Sequence, residues 1–386
     1  MFTKDTIQKF KATPTPFYYY DLELLKKTLA ALKKESDKYN FVVHYALKAN
    51  ANNEVLSIIQ NAGLGADCVS GNEVKKAAEF NFHNTFFAGV GKSDEEINIA
   101  LGLDITCFNC ESLQEIEVIN ELAKKKNKTA SIAFRINPNV NANTHKYITT
   151  GLEENKFGIN LWELEEVVNK TLQLSNIKIK GVHFHIGSQI TDLSAFKSLC
   201  LKANEIQSWF VSHKVELEHI NVGGGLGVDY HEPDTNSIPD FSAYFALFNQ
   251  FLELRPSQKL HFEIGRAIVA QCGSLISKVL FVKKGINTSF VILDAGMTEL
   301  IRPALYQSYH KIENISKEIA DNQILTASLK YDVVGPICES SDCFGKAVLL
   351  PETSRGDFVA IRTTGAYGEV MASRYNLREI VKALYS

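Results

Sequence analysis

The sequence lacks any long hydrophobic run. No stretch of about 18 uncharged apolar residues occurs in it, so we expect no helix that spans a membrane. The first dozen residues include Lys4, Asp5, Lys9 and Lys11, where a secretory signal peptide would have its apolar core. The sequence therefore predicts a cytoplasmic protein that does not act at a membrane.

An excess of positive charge is also missing. The 41 Lys and Arg are balanced by 44 Asp and Glu, which leaves a formal net charge of −3. A protein with this balance has no strong long-range attraction to nucleic acid or to an anionic membrane. We therefore expect a small-molecule substrate and no nucleic-acid partner.

Cysteine is scarce and irregularly spaced. An odd number, 7 in 386 residues, does not indicate a framework of disulfides. Cys107 and Cys110 have the spacing of a metal-binding pair, but neither a second pair nor a nearby histidine completes a zinc site. We expect buried structural thiols and no metal.

The chain does contain a regular alternation of short apolar runs with amphipathic segments. Apolar residues recur at helical spacing in the longer segments, and signals for helix starts occur at Ser93–Glu96 and at Glu111–Ser112. The apolar runs predict eight strands, at residues 41–48, 65–70, 85–89, 104–109, 131–137, 180–187, 219–225 and 260–266. Eight consecutive βα units favour an α/β fold of the closed (β/α)8 TIM barrel type over a doubly wound sheet. We expect this barrel to span residues 25–270.

The pattern changes after about residue 270. Strand-like runs at 274–282, 290–293, 332–334 and 347–350 are separated by polar turns that contain glycine and proline. This pattern predicts a C-terminal all-β domain. The aromatic run at 17–20 is expected to join it, so that the β domain consists of residues 1–24 and 271–386.

Distinctive polar residues and glycines fall at the predicted C-terminal ends of the strands. Barrels of this type carry their catalytic groups at that end. The residues concerned are Lys48, Ser70, Arg135, Asn137, His183, His185, Gly223, Gly224, Gly225, Glu263 and Arg266. The sequence therefore predicts an active site at this rim.

Lys48 is the most informative of these residues. A lysine amine in a partly apolar site can form a Schiff base with the aldehyde of pyridoxal 5'-phosphate. The same lysine could instead simply extend to solvent. Gly223, Gly224 and Gly225 would let backbone N–H groups approach a phosphate, although they could equally form a tight turn without a ligand. Ser188 and the main chain from Glu263 to Arg266 are further candidate phosphate donors.

Glu263 lies inside an apolar strand, where an unpaired carboxylate would be costly. A protonated pyridine nitrogen would satisfy it and would keep the cofactor ring cationic, whereas a salt bridge with Arg266 is the simpler alternative. His185 alternates with apolar neighbours and so points into the barrel together with His183. It could stack on the cofactor ring, or it could be an ordinary buried histidine.

The motifs that surround these residues resemble those of the diaminopimelate decarboxylase family, which belongs to the fold-type III group of pyridoxal phosphate enzymes. The resemblance extends over nearly the whole chain. It rests on Tyr45–Asn50, Gly65–Ser70, Arg135–Pro138, Lys156–Gly158, His183–Gln189, Gly223–Gly227, Arg302–Tyr306, Cys338–Ser340 and Gly365–Gly368. It implies a barrel plus a β domain, and a homodimer with active sites at the subunit interface.

The resemblance also implies roles for individual residues. Lys48 would carry the cofactor, His185 would stack on its ring, and Glu263 would bind the pyridine nitrogen. The phosphate would bind the glycine triplet and the segment through Gly265 to Arg266, with Tyr367 also touching the cofactor. Cys338 would be the proton donor, contributed by the partner subunit. The substrate contacts would be Arg266, Arg302, Tyr306, Glu339 and Tyr367.

These roles predict the decarboxylation of meso-2,6-diaminopimelate to L-lysine and carbon dioxide, the last step of lysine biosynthesis. A related decarboxylase for ornithine, arginine or carboxynorspermidine is the nearest alternative, but its substrate would have less use for Arg302. An amino-acid racemase would be expected to have arginine in place of Glu263, and a non-catalytic cofactor carrier would lack the β domain. Ile264 and Asn72 depart from the usual proline and glycine of the family, without removing a reactive group.

Overall fold

The computed structural model describes residues 2–140, 156–317 and 328–386. The chain divides into two compact units, which are described separately below. The barrel unit comprises the described residues of Leu29–Gly227 and Asp240–Gly265, and the β unit comprises those of Met1–Thr28, Val228–Pro239 and Arg266–Ser386.

The secondary structure alternates strands and helices as far as Val269 and is mainly strand after that. The strands in chain order are β1 Phe17–Tyr20, β2 Val42–Ala46, β3 Gly65–Cys68, β4 Thr85–Phe87, β5 Cys107–Cys110, β6 Ala130–Arg135, β7 Ile177–His183, β8 His219–Asn221, β9 Lys259–Ile264, β10 Gly273–Lys284, β11 Ser289–Leu293, β12 Ile312–Asn314, β13 Leu329–Val334, β14 Cys343–Leu350, β15 Phe358–Ile361 and β16 Ala383–Tyr385. The α-helices are α1 Lys4–Lys11, α2 Leu22–Asp37, α3 Asn53–Asn61, α4 Gly71–Glu79, α5 Asp94–Gly102, α6 Leu113–Lys125, α7 Leu164–Thr171, α8 Ser194–Ser212, α9 Phe241–Phe251, α10 Arg266–Val269 and α11 Arg302–Tyr306. Short 3-10 helices cover Leu47–Ala49, Glu369–Met371 and Tyr375–Leu377.

The strands β2 to β9 form a closed parallel barrel in sequence order, which confirms the predicted (β/α)8 barrel. Closure joins β2 to β9, with His44 opposite Glu263 and Tyr45 opposite Ile264. Several predicted strands extend beyond the observed ends; for example, β2 ends at Ala46 whereas the prediction continued to residue 48. Lys48 lies in a 3-10 turn because the chain leaves the ladder there to enter α3.

Serine side chains begin three of the barrel helices. Ser93 caps α5 with a full capping box, in which Glu96 reaches back to the Ser93 backbone. Ser70 and Ser112 cap α4 and α6 in the same position by accepting from the backbone N–H three residues ahead. The predicted helix starts near residues 93 and 112 are therefore confirmed.

The β unit contains an eight-stranded mixed sheet, with β1 antiparallel to β10 and parallel to β16. The aromatic run at 17–20 therefore joins the sheet, as predicted. Helix α1 places Phe10 against Tyr19, with ring centroids 4.9 Å apart, and this contact belongs to an apolar cluster that includes Phe17 and Ile276. The N-terminal segment is held by these buried rings and by its strand pairing.

The described residues contain neither a membrane-spanning helix nor a disulfide. In residues 2–140, 156–317 and 328–386 there is no helix long and apolar enough to cross a bilayer. All seven cysteines are unpaired, and Cys107 and Cys110 are buried thiols whose pKa values are raised by burial. Thiols of this kind are typical of structural cysteines and react slowly.

A cluster of neutral histidines lies inside the barrel. His44 donates from Nδ1 to the carbonyl of Asn84 at 2.9 Å, so its Nε2 is left to accept from His261 Nδ1 at 2.8 Å. A proton on His44 would place two N–H groups face to face. Burial accordingly lowers the pKa of His44 and of His219 to about 4 and that of His261 to about 2.

We predict that these histidines make the protein less stable in mild acid. Each has a lower pKa in the folded state than its ordinary value near 6.5, so the unfolded chain binds protons first as the pH falls. The stability they contribute is present above pH 6.5 and is lost between about pH 6.5 and 4. His219→Leu should reduce the slope of unfolding free energy against pH in this window by up to about 1.4 kcal/mol per pH unit.

Urea unfolding at a series of pH values measures this slope. His219 suits the test because its Nε2 is buried and has no hydrogen-bond partner in the described part of the chain. His83→Gln, at an exposed position, serves as the control and should leave the slope unchanged. Equal slopes for wild type and His219→Leu would contradict the prediction.

Candidate functional site

The carboxylate of Glu263 lies at the centre of the polar residues in the barrel unit. Strand β9 carries it into the barrel interior, where its side chain is 5% exposed. One oxygen, Oε1, accepts from Asn109 Nδ2 at 3.0 Å and from Asn221 Nδ2 at 2.7 Å, and the other, Oε2, accepts from His183 Nε2 at 2.9 Å. These donors satisfy a charge that would otherwise be very costly to bury.

Opposing effects act on the pKa of Glu263. Burial raises it, whereas the contact with His183 and the nearby charge of Lys48 lower it, and the net result is a pKa well below the usual range for glutamate. The carboxylate is therefore ionised at neutral pH. The predicted alternative of a salt bridge with Arg266 concerns a residue of the β unit, whereas the partners found here all belong to the barrel unit.

Lys48 follows β2, the neighbour of β9, so both side chains lie at the C-terminal end of adjacent parallel strands. Its side chain is 37% exposed, and its Nζ lies 3.7 Å from Asp67 Oδ2. Asp67 is 1% exposed, and neither of its oxygens has a hydrogen-bond partner in the described chain. Burial and then the charge of Glu263 raise the pKa of Asp67 well above its usual range, against the pull of Lys48.

Two carboxyl groups near one amine thus have opposite pKa shifts. The environments of Asp67 and Glu263 are arranged to keep one prone to protonation and the other ionised. Such divergence is typical of sites that carry out acid–base chemistry.

His185 and the glycine triplet lie just beyond β7 and β8. Burial is the main cause that lowers the pKa of His185 well below its usual value, and Lys48 adds to it, so the ring is neutral. Its Nδ1 accepts from the Gly224 N–H at 3.3 Å, which leaves the tautomer with Nε2 protonated. A flat neutral ring in this place can stack on another ring.

Close backbone approach explains the glycines. A Cβ at Gly223 would overlap the carbonyl oxygen of Phe184, and one at Gly224 would overlap that of Glu263. Gly223 and Gly225 also have φ values of +68° and +108°, which side chains rarely adopt. The triplet is thus required by packing whether or not an anion binds there.

The remaining barrel positions lie as follows. The Gly223 N–H donates to Asn221 Oδ1 at 2.9 Å, and the Gly225 N–H has no partner among the residues described. Ser188 is half-buried. Gly265 follows β9, and a Cβ there would come within 2.9 Å of the Ala49 side chain. Of the two departures from the family pattern, Ile264 continues the β9 ladder and Asn72 is exposed in the first turn of α4.

The β unit holds the other predicted site residues, and two arginines dominate them. Arg266 is 6% exposed, donates from Nη1 to the Tyr230 hydroxyl at 2.6 Å, and lies 4.9 Å from the centre of the Tyr367 ring. Arg302 is also 6% exposed, and its guanidinium lies 5.6 Å from the centre of the Tyr230 ring.

The contacts found for Arg302 are with ring side chains. Its Nε donates to His310 Nε2 at 3.4 Å, and no carboxylate lies within 4 Å of it in the described chain. Burial lowers the pKa of Arg302. A buried guanidinium that is stacked on a phenol and bonded to a neutral ring is well suited to receive a carboxylate.

Three predicted residues of the β unit are more accessible. Tyr306 ends α11 and is half-buried, whereas Cys338 and Glu339 are exposed. Glu339 accepts from Ser341 Oγ at 3.1 Å. The sulfur of Cys338 is thus reachable from solvent.

Sequence reasoning missed several residues that the structure brings to these places. They are Asp67, Asn109 and Asn221 in the barrel unit and Tyr230 and His310 in the β unit. A signal existed for the first three, because each is a polar residue inside a predicted strand, where a buried polar side chain needs a partner. Nothing in the local sequence indicated that Tyr230 and His310 contact arginines.

Comparison with known proteins places these features in a family. A family model described as the pyridoxal binding domain of pyridoxal-dependent decarboxylases matches residues 22–270. The chain is 56% identical over 383 residues to the diaminopimelate decarboxylase of Bacteroides thetaiotaomicron, covering 98% of this chain and 97% of that protein.

Solved structures agree with this similarity. The diaminopimelate decarboxylase of Helicobacter pylori in complex with L-lysine matches with a TM-score of 0.90 and 38% identity, covering 98% of this chain and 93% of that one. The enzyme of M. jannaschii in complex with L-lysine matches with a TM-score of 0.89 and 34% identity, covering 98% and 89% of the two chains.

We predict that Gly224→Ala destabilises the barrel. The added Cβ would overlap the carbonyl oxygen of Glu263. The backbone after β8 must therefore move away from β9, or both must adopt a strained conformation. The cost of such overpacking is roughly 1–3 kcal/mol in unfolding free energy, measured by urea unfolding. Gly91→Ala is the matched control, because a Cβ at Gly91 meets nothing within 4 Å. Equal unfolding free energies for Gly224→Ala and Gly91→Ala would contradict the prediction.

Proposed function

We propose a function for this chain on the ground that it belongs to the diaminopimelate decarboxylase family. The cofactor of the family is pyridoxal 5'-phosphate. The proposed reaction is the decarboxylation of meso-2,6-diaminopimelate to L-lysine and carbon dioxide, the last step of lysine biosynthesis. The observation that carries it is an amine, Lys48, and an ionised carboxylate, Glu263, at the C-terminal ends of adjacent barrel strands.

The barrel residues fit the cofactor. Bound pyridoxal phosphate supplies an electron-accepting ring that stabilises the charge left on the substrate Cα when carbon dioxide departs. Lys48 Nζ is the amine that would hold the aldehyde, and Glu263 is the anion that would hold the ring nitrogen. His185 offers a flat neutral ring for the ring face. The Gly225 N–H, with Gly223, Gly224, Ser188 and Gly265, would hold the phosphate, and Arg266, which follows Gly265 in the chain, is a further candidate.

Asp67 adds a partner for the amine. Its carboxyl group lies 3.7 Å from Lys48 Nζ and is otherwise without hydrogen bonds among the described residues. The raised pKa of Asp67 lets the pair share a proton, so that Lys48 can be neutral when it acts as a nucleophile. We assign Asp67 the role of orienting Lys48 and accepting its proton.

The β unit supplies the residue types that a diamino dicarboxylic acid needs. Its distal end carries a carboxylate and an ammonium, which call for arginine forks and an acidic group. We assign Arg302 to the distal carboxylate and Glu339 to the distal ammonium. Arg266, Tyr306 and Tyr367 are the further substrate contacts that we propose, and Cys338 is the proposed proton donor to Cα.

Arg302 also separates this function from its nearest alternative. A decarboxylase for ornithine or arginine handles a substrate whose distal end is cationic, and a buried guanidinium would repel it. Of the substrates considered, only one with a distal anion offsets the free-energy cost of burying the charge of Arg302. The carboxylate of diaminopimelate is such an anion.

We further propose that the protein is a cytoplasmic homodimer. Seven unpaired cysteines are typical of a reducing compartment. In the β unit, the C-terminal segment exposes large apolar side chains, with Leu377 95% exposed and Tyr375 47% exposed, and Tyr375 lies close enough to Glu339 for that residue to raise its pKa. Exposed apolar groups beside Cys338 and Glu339 would be covered by a second copy, which would receive these two residues in its active site.

The first test is carbon dioxide release from purified protein with pyridoxal phosphate and a panel of amino acids. We expect release from meso-2,6-diaminopimelate and none from ornithine, arginine or carboxynorspermidine. Lys48→Ala should lose the visible absorbance of the bound cofactor and reduce turnover by roughly 10⁴-fold or more, because no amine replaces it. Lys170→Ala, at an exposed helical position, is the control. Retention of the absorbance by Lys48→Ala would refute the assignment.

The second test mixes two inactive variants. Lys48→Ala and Cys338→Ala are expected to be inactive as pure dimers. If each site uses Lys48 from one copy and Cys338 from the other, then mixed dimers contain one intact site. Free exchange should therefore restore about a quarter of the wild-type activity, because half of the dimers are mixed. No recovery, in a sample shown by native mass spectrometry to have exchanged, would argue against shared sites.

A further inference from the structure

We propose that Asn109 and Asn221 are positioning residues that clamp one oxygen of Glu263, so that the carboxylate presents a single open acceptor position to the cofactor ring nitrogen. The inference rests on the proposed function, because it concerns how the assigned partner of that nitrogen is held. It adds two residues to which no role has been assigned so far.

The count of hydrogen bonds defines the open position. An ionised carboxylate offers about four acceptor positions, two on each oxygen. Both positions of Oε1 are taken by the amide groups of Asn109 and Asn221, and one position of Oε2 is taken by His183. A ring N–H can therefore bind only at the second position of Oε2, on the oxygen that His183 already orients.

The amide of Asn221 can face only one way. Its Oδ1 accepts from the Gly223 N–H at 2.9 Å, which forces its Nδ2 toward Glu263, 2.7 Å away. One side chain thus couples the glycine triplet to the carboxylate. A movement of the triplet is transmitted to Oε1.

Asn109 makes its bond at a cost. Its Nδ2 donates to Glu263 at 3.0 Å, while its buried Oδ1 has no hydrogen-bond partner in the described chain. A buried unsatisfied carbonyl costs roughly 1–3 kcal/mol. A residue that only filled space would be more stable as an apolar side chain, so the donor to Glu263 is the contact that accounts for asparagine here.

The clamp also fixes the charge of Glu263. Two donors face Oε1, so a proton could bind only at Oε2, where it would compete with His183 or occupy the open position. Other charged or titratable groups act on this carboxylate from the surrounding strands. They are His44 and Lys48 from β2 and the turn that follows it, Asp67 from β3, Cys107 from β5, His183 from β7, His185 just beyond β7, and His261 from β9.

The variant Asn221→Asp separates positioning from packing. Aspartate has the same shape and can still accept from Gly223, but it replaces a donor to Glu263 with a second anion. A neighbouring anion raises the pKa of Glu263, so the carboxylate takes up a proton, and releases the ring nitrogen, at higher pH. Asn109→Asp should act in the same way from the other strand, and Asn109→Ala removes the donor without adding a buried charge.

The main readout is the pH titration of the visible absorbance of the bound cofactor. For Asn221→Asp and Asn109→Asp we expect its acid transition, and the acid limb of kcat, to move upward by about one pH unit or more. We expect kcat to fall roughly 10- to 100-fold, which is the loss typical when a side chain that orients a metal ligand is replaced. KM should be nearly unchanged. Asn109→Ala should lower kcat in the same range. Asn98→Asp, on the outer helix α5, adds the same charge and should change nothing.

Each result decides the question. Shifted titrations with cofactor retained support the clamp. The clamp is overturned if folded Asn109→Asp and Asn109→Ala keep the wild-type pH titration of absorbance and the wild-type kcat. It is also overturned if a variant loses folding or cofactor while the protein that still binds cofactor titrates as the wild type does. If the wild-type protein binds no pyridoxal phosphate or releases no carbon dioxide from diaminopimelate, then the proposed function fails and not the clamp.

Discussion

The burial of one ionised carboxylate determines which polar side chains the barrel interior must contain. Barrel cores are usually filled by branched apolar side chains. Here the position of Glu263 requires donors on the strands around it, and Asn109, Asn221 and His183 meet that need. The interior is therefore polar around Glu263. Because every donor comes from a different strand, the carboxylate is satisfied only when the barrel is closed.

The same carboxylate shapes its neighbours electrostatically. Burial and then the charge of Glu263 raise the pKa of Asp67, while His183 and Lys48 help to keep the pKa of Glu263 low. One amine therefore lies near two acids of opposite tendency, which is an arrangement suited to moving a proton to and from the amine. The histidines around His44 remain neutral mainly because burial lowers their pKa values, and His44 is further fixed by its hydrogen bonds to Asn84 and His261.

In the β unit the charges are organised in the opposite sense. Arg266 and Arg302 are both buried. Arg266 donates to the Tyr230 hydroxyl and lies over the Tyr367 ring, and Arg302 lies over the Tyr230 ring and donates to the neutral ring of His310. Stacking on aromatic rings compensates part of the desolvation of a guanidinium and keeps its edge available. Among the described residues no carboxylate pairs with Arg302, so its guanidinium can pair with an anion from outside the chain, as recognition of a distal carboxylate requires.

The sequence by itself determined the eight barrel strands and the candidate residues Lys48, His185 and Glu263, whereas the pairing of the aromatic run at 17–20 with β10 and β16 came from the tertiary structure. The strands and the candidate residues follow from local periodicity and from the rule that barrel sites lie at strand ends. Only the tertiary structure decided which groups surround Glu263. Its partners Asn221, His183 and Asn109 lie 42, 80 and 154 residues away in the chain, and such pairings depend on barrel closure and strand register. Hydrogen bonds between distant residues leave no local periodic pattern, because only the folded backbone brings donor and acceptor within 3 Å.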